Sequence, residues 1–311
     1  MKRKMLNVPK GGYDGMKGFT IVEFLVAGLL SIIVLIAVVS SYFTSRKLND
    51  AANERLAIQQ DLRNAATLIV RDARMAGSFG CFNMSEHTEK DVVFDVAQKN
   101  RPFSLKGSSA NKLIPIAESL NIGYQGFAQV RPALIFQYGI DDVNASAETT
   151  VVSSCGVISK PGKQIPTLED AKKELKIQNS GKEQNGNIAR QRHVVNAYAV
   201  GGIAGEEGLF RFQLDDKGKW GNPQLLVKKV KRMDVRYIYV SGCPEDAGKE
   251  EQFKYTDKFD KSRDAVTPAG VEVLLDSGLD AKIAASSDNS IYAYRINATI
   301  RGGNVCANRT L

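Results

Sequence analysis

FTIVEFLVAGLLSIIVLIAVV, running from Phe19 to Val39, is a stretch of 21 residues with a single charge, Glu23. At about 1.5 Å per residue, a helix of this length is about 30 Å long, the thickness of a bilayer core. Lys2, Arg3, Lys4, Lys10 and Lys17 precede it, and Arg46 and Lys47 close it. The basic N-terminal flank stays in the cytoplasm by the positive-inside rule, which places everything after Ser45 on the outer side. Ser40 and Ser41 are small, but no A-x-A cleavage signal follows the apolar run, so composition alone reads as a permanent signal anchor. Glu23 does not fit that reading. A carboxylate costs on the order of 3 kcal/mol near the bilayer centre and less toward an edge, so it is expected to serve a function and to meet a cation.

The helical pattern continues beyond the apolar run. No proline lies between Pro9 and Pro102. Leu48, Ala52, Leu56, Gln59, Leu62, Ala66, Ile69 and Ala73 form a stripe at helical spacing. Asn49, Asp50, Asn53, Glu54, Arg63, Arg71 and Asp72 fill the opposite, solvent-facing positions. Gly77 and Gly80 punctuate the end. One helix from about Phe19 to Ala76 is expected, roughly 85 Å long. A heptad coiled coil is disfavoured because alanines dominate the stripe.

Residues 77–311 read as a β-rich head. Val92–Val96, Ala133–Tyr138, Val151–Ile158, His193–Val200, Leu209–Leu214, Gln224–Val230, Met233–Val240, Val271–Leu275 and Ile291–Ile300 carry the β-branched and aromatic residues of strands. In the last, Tyr292, Tyr294, Ile296, Ala298 and Ile300 share one face, with Arg295, Asn297 and Thr299 on the other. The turn-rich link between Leu214 and Gln224 predicts a hairpin. Ser85–Asn111, Lys160–Gln191 and Pro244–Gly270 read as polar surface excursions. Inside the second, Thr167 to Leu175 predicts a short capped helix with Leu168, Ala171 and Leu175 as its apolar side. The fold class is therefore α+β.

Bulk properties exclude little. The chain has 311 residues, 43% apolar and 24% charged, as in ordinary globular domains. Its net charge is +8, of which the basic segment 1–18 supplies +4, leaving a weak argument for an anionic partner. Cys81, Cys155, Cys243 and Cys306 are widely spaced, with no CxxC pair and only two histidines, His87 and His193, so no zinc or redox motif is formed. On the outer side of a membrane they read as two disulfides, with three connectivities open. No phosphate-binding glycine loop, HExxH or G-x-S-x-G occurs. Lys228-Lys229-Val230-Lys231-Arg232 reads as a solvated strand end rather than a DNA contact. Asp141-Asp142 and Asp215-Asp216 lack the spacing of a Ca²⁺ loop. Asn83, Asn144, Asn297 and Asn308 begin N-x-[ST] triplets from which modification does not follow. His87 and His193 are isolated and read as structural or exposed.

Lys17-Gly18-Phe19-Thr20-Ile21-Val22-Glu23 resembles the N-terminal motif of type IV pilins and pseudopilins. The resemblance implies that a prepilin peptidase cuts between Gly18 and Phe19, removing the leader 1–18, and that Phe19 is then N-methylated. It implies too that Glu23, fifth in the mature chain, is the assembly carboxylate that pairs with the Phe19 amine of a neighbouring subunit. Each group is costly alone in an apolar setting, and pairing neutralises both. The segments 197–200 (AYAV), 208–212 (GLFRF) and 225–237 (LLVKKVKRMDVRY) are similar to the head of W-type minor pilins, relatives of the J-type pseudopilins of type II secretion. The helix-kinking proline of major pilins is absent, Ser40 and Gln60 standing at its usual sites, and the head is large. Both departures favour a minor subunit.

What the resemblance implies is a type IV pilin fold: residues 19–45 as the membrane or filament-core half of a spine helix, 46–76 as its amphipathic half, and a periplasmic head. The implied role is structural and not enzymatic, a minor pilin that helps initiate pilus assembly in a priming or tip complex, with no cofactor and no metal. Implied partners are other minor pilins, major pilin, prepilin peptidase, the inner-membrane assembly platform and the inner membrane itself; nucleic acid is not expected. The implied location is the inner membrane by a single pass and, after assembly, the extracellular pilus. A minor pseudopilin of a type II secretion tip is the first alternative, and a DNA- or surface-binding pilin the second. For the disulfides, sequential pairing is expected, Cys81–Cys155 and Cys243–Cys306, each closing a long loop.

Overall fold

The structure, a computed structural model, describes residues 18–93, 107–108, 112–176, 187–221, 223–241, 252–259, 267–276 and 294–300. It consists of a long N-terminal helix followed by a β-rich head. The helix, α1 (Ile21–Met75), is uninterrupted over 55 residues. Nothing in its sequence breaks it, and Gly77 stops it by turning left-handed at φ 80°. The Gly77 N–H leaves the helical ladder and donates to the Gln137 carbonyl at 2.9 Å.

The chain divides between Ala57 and Ile58. In the first unit every described residue, Gly18 to Ala57, is exposed. In the second, α1 turns one face inward: Ile58, Leu62, Ala65, Ile69, Asp72 and Ala73 are buried. The expected stripe is thus corrected at both ends. Leu48, Ala52, Leu56 and Gln59 are exposed: the first three belong to the first unit, every described residue of which is exposed, and Gln59, in the second, lies outside the buried face of α1. Asp72, expected in solvent, lies at the centre of the buried face.

Among the described residues, two large sheets form most of the head, and two further strand pairs form small two-stranded sheets. The first contains β1 (Ile116–Ser119), β2 (Ala133–Ile140) and β3 (Thr150–Ser153), and is built around a long strand, β4 (Ala189–Ile203). A helix, α2 (Leu168–Glu174), lies between β3 and β4 in sequence. β5 (Glu206–Gln213) pairs antiparallel along one side of β4, and β6 (Gln224–Lys228) pairs with β5 as the expected hairpin. The other side of β4 is shared: β3 takes Ala189–Arg192, and β2 takes Arg192–Tyr198 and in turn pairs with β1. The second sheet is antiparallel throughout. Its order is β8–β7–β9–β10, with β7 (Arg232–Ser241), β8 (Gln252–Thr256), β9 (Gly270–Asp276) and β10 (Tyr294–Thr299).

The buried face of α1 packs on residues of both sheets, among them Leu134, Phe136, Tyr198 and Val200 of the first and Tyr237, Val271, Val273 and Ile296 of the second. Each large apolar side chain fully removed from water contributes about 1.5–3 kcal/mol. Strand alternation divides the first sheet between two cores. Tyr198 and Val200 face α1, while Val195, Ala197, Ala199, Phe210 and Phe212 pack with Ile122, Tyr124, Phe127 and Trp220 on the opposite face. Gly201 admits that covering segment: a Cβ there would lie 2.3 Å from the Ala128 carbonyl oxygen.

Three local expectations are revised. Val151–Ile158 is not one strand. The Ser154 hydroxyl accepts from the Gly156 and Val157 N–H groups at 3.3 and 3.2 Å, forming a turn that folds Ile158 back beside Ser153. Gln252–Thr256, read as part of a polar excursion, is a strand because β7 offers it a ladder. α2 is capped by Thr167 as expected and buries Ala171 and Leu175, but Leu168 points outward. In β10, Ile296 and Ala298 are buried and Arg295, Asn297 and Thr299 exposed, matching the alternation in the sequence.

Candidate functional site

Gly18, Phe19 and Thr20 lie outside the helix and are exposed, Phe19 to 86%. Thr20 is the N-cap. Its N–H and its hydroxyl both donate to Glu23 Oε2, at 2.9 and 3.0 Å, while the Glu23 N–H donates back to Thr20 Oγ1 at 3.3 Å. This is a capping box, which satisfies N–H groups that the first helical turn leaves orphaned. Its T-x-x-E signature stands in the sequence and was not read there as a cap. Both bonds in which Glu23 accepts end on Oε2; among the described residues, Oε1 accepts none. A Cβ at Gly18 would meet nothing within 4 Å, so packing does not require glycine at that position. Behind this cap α1 is long and apolar enough to anchor the chain in a membrane, with a mean hydropathy of 2.9 over its most apolar window.

Downstream of α1, Cys81 and Cys155 form a disulfide with a Cα–Cα distance of 4.7 Å, one of the two expected pairs. It joins the chain just past α1 to the turn that follows β3. The Ser153 hydroxyl reinforces the junction by donating to the Phe79 carbonyl at 2.7 Å. Cys243 and Cys306 lie outside the described residues. The strands that lead to them finish at the same end of the second sheet, since Ile238 and Thr299 both register with Gly270.

The residue that the sequence did not single out is Asp72. It is fully buried, beside the equally buried Asn196, against a largely apolar core. Its Oδ1 accepts from the Tyr138 hydroxyl at 2.9 Å and from Arg71 Nη2 at 3.2 Å. Its Oδ2 accepts from the Tyr198 hydroxyl at 2.6 Å and the Asn196 amide at 2.8 Å, and Arg211 Nη2 lies 3.6 Å away. Strand register explains the convergence. Val194 pairs with Tyr138 and Tyr198 with Arg211, so Tyr138, Asn196, Tyr198 and Arg211 project from the same sheet face. Burial, then the adjacent Asp72 charge, pushes the Tyr138 hydroxyl up to about 12 and raises Tyr198 as well, so both remain donors. Burial acts to lower the Arg71 pKa, but the charge and hydrogen bond of Asp72 outweigh it and the net shift is upward.

The remaining sequence candidates divide by their surroundings. Lys228 and Lys231 of the basic run face Glu206 and Glu207, at 3.8 and 2.6 Å, and Arg232 pairs with Asp234 at 3.1 Å. Three of its four cations are thus answered by carboxylates within the head. His87 stacks on Phe82 at 4.2 Å and lies 3.5 Å from Asp91. A cleft of about 350 Å³ is lined by Glu118, Arg131, Met233, Asp234, Arg236 and Asp257, with charges of both signs at its rim.

His193 is buried with Nε2 3.2 Å from Gln137 Oε1, and burial lowers its pKa to about 4. The folded value lies below the ordinary value of about 6.5, so its contribution is complete above 6.5 and is lost as pH falls toward 4. Between pH 6.5 and 5, above the carboxylate range, the head is expected to lose about 2 kcal/mol. His193→Gln should flatten this limb in denaturation curves read from Trp220 fluorescence; an unchanged limb would assign it to other groups.

Compared with protein-family models, with curated proteins and with solved structures, the chain has no match in any of the three.

Proposed function

We propose that this chain is a minor subunit of a type IV pilin-like filament, anchored in the inner membrane by α1 before assembly and helping to initiate that assembly. One observation carries the reading: Gly18–Phe19 is exposed and outside the helix, directly ahead of an exposed apolar helix whose only charge up to Ser45 is Glu23. A peptidase needs an extended, accessible bond, and a lone carboxylate in an apolar span needs a cation. Cleavage after Gly18 supplies both ends of this chemistry. It creates a cationic amine at Phe19, and in the filament Glu23 of one subunit pairs with that amine of another. The charge-answered basic run weighs against the DNA-binding alternative.

The N-terminus and intact mass of the native protein, from cells with and without prepilin peptidase, test the reading. A chain beginning at methylated Phe19 only when the peptidase is present supports it. An uncut chain in both would leave a signal-anchored head. Loss of pili rather than of secreted proteins on deletion would separate a pilus from a type II secretion role.

Glu23→Ala is expected to leave cleavage intact and to lower incorporation into filaments by at least about tenfold, since removing one member of a desolvated ion pair strands the other. Glu23→Gln separates charge from capping, because glutamine also completes a capping box. It should keep the helix start and still fail to incorporate. Normal incorporation of both variants would contradict the pairing.

A further inference from the structure

β7 is open along part of one side. β9 pairs with it from Arg232 to Ile238, but on the other side β8 reaches only Tyr237–Ser241. β8 stops there because the Thr256 hydroxyl accepts from the Lys258 N–H at 3.2 Å, and the chain turns so that Phe259 packs on Tyr237. Along a strand the backbone polar groups point alternately to the two sides. The Ile238 carbonyl accepts from the Ala269 N–H, just ahead of β9, at 2.8 Å. Arg232, Asp234 and Arg236 therefore turn their backbone groups toward β9, and Met233 and Val235 turn theirs away from it. Among the described residues, no hydrogen bond reaches the Met233 or Val235 backbone from that side. The two N–H and two C=O groups form a template for a further strand.

This open side is the cleft of about 350 Å³, which Asp257, just past β8, also lines. Glu118, Arg131 and Pro132 wall it as well, so the edge is recessed. The same edge of a second copy, recessed alike, does not reach it, whereas a single extended segment does. Two of the cleft's charges are answered from outside, Asp234 by Arg232 and Arg236 by Glu272. That leaves the Glu118 and Asp257 carboxylates against the Arg131 guanidinium, an acidic balance. Met233 and Val235 pack on the apolar core beneath α1, so residues laid opposite them extend an apolar face.

We propose that the open edge of β7, Met233 to Arg236, is a docking slot for an extended segment of another protein. The segment enters as an added strand antiparallel to β7, continuing the line of β8 over about 13 Å. It places apolar β-branched residues opposite Met233 and Val235, and a lysine or arginine opposite Asp234. Main-chain hydrogen bonds hold it, and the acidic balance of the cleft selects the basic residue. The slot belongs to the head alone and does not depend on whether the chain is cut or assembled.

The test is residue-resolved amide exchange in the detergent-solubilised full chain, with the peptide acetyl-Thr-Val-Lys-Val-Thr-amide as probe. Without peptide, the Met233 and Val235 amides should exchange at least about tenfold faster than those of Asp234 and Arg236, which β9 protects. At about millimolar peptide, exchange at Met233 and Val235 alone should slow by at least about tenfold. Methylating both valine nitrogens removes the donors of the added strand and should abolish that protection. Replacing the peptide's lysine by glutamate should weaken binding, and Asp257→Lys, at an exposed position past the end of β8, should reverse this preference. Protection of Met233 and Val235 before any peptide is added would overturn the proposal: if it is independent of protein concentration the chain covers its own edge, and if it grows with concentration a second copy does. Binding without that protection would mean that the cleft takes a side chain rather than a strand, and no binding at all would equally overturn the slot. An unchanged preference in Asp257→Lys would overturn the basic partner.

Discussion

Asp72→Ala is expected to destabilise the head by about 3–5 kcal/mol, the range for removing one member of a buried charged network. The magnitude follows from what is left behind. The Tyr138 and Tyr198 hydroxyls and the Asn196 amide lose their acceptor, and the Arg211 guanidinium its ion-pair partner, where Asp72 is 0% exposed. Each stranded neutral donor costs about 1–3 kcal/mol, and a charged one more. Part of the loss is recovered because the Asn196 amide still donates to the Tyr138 oxygen at 3.1 Å. Asp72→Asn should fall between alanine and wild type, since it keeps one acceptor oxygen but turns a donor toward donors. Urea denaturation followed by Trp220, the single tryptophan, which packs on Phe212 in the head, measures all three proteins. A loss below about 1 kcal/mol for Asp72→Ala would mean that water replaces the carboxylate.

The Cys81–Cys155 disulfide gives the second large effect. Its sequence separation is 74, and closing such a loop in the unfolded chain is worth about 4 kcal/mol by chain entropy. Both cysteines are exposed, so Cys81→Ala with Cys155→Ala removes little packing and acts mainly on the unfolded chain. The double variant should therefore denature earlier, while strands such as β4 and β5 keep their amide-exchange order relative to one another. Local disorder limited to residues 78–93, with unchanged global stability, would show instead that the bridge only pins the segment after α1. Here a covalent tie and the Asp72 cluster act on the same junction by different means. One restricts the unfolded chain, and the other satisfies buried donors in the folded one.

These two sites differ in how far the sequence revealed them. The distant, even-numbered cysteines and the expected outward placement of the head made a disulfide legible, and sequential pairing named Cys81–Cys155. α1 was legible from its unbroken apolar run and lack of proline. β10 was legible from alternation, and the hairpin of β5 and β6 from its turn residues. These are local signals, in which period and turn chemistry fix the structure of a segment without reference to distant partners. The T-x-x-E cap at Thr20 and Glu23 is equally local.

Asp72 was not legible in the same way. A charged residue beside Arg71 on an amphipathic helix reads as solvent-facing, and helical period alone does not say which neighbouring face meets the head. Its acceptor role exists only because Tyr138, Asn196 and Tyr198, at separations of 66, 124 and 126, come to one face of the first sheet. Strand pairing decided that convergence, as it decided that Gln252–Thr256 is a strand and that Val151–Ile158 is two. By itself the sequence determined the elements whose causes lie within a few residues: the long apolar helix, its cap, its glycine stop and the clearly alternating strands. Only the tertiary structure decided where α1 is buried and what its one buried charge binds, because burial and polar satisfaction depend on segments far apart in the chain.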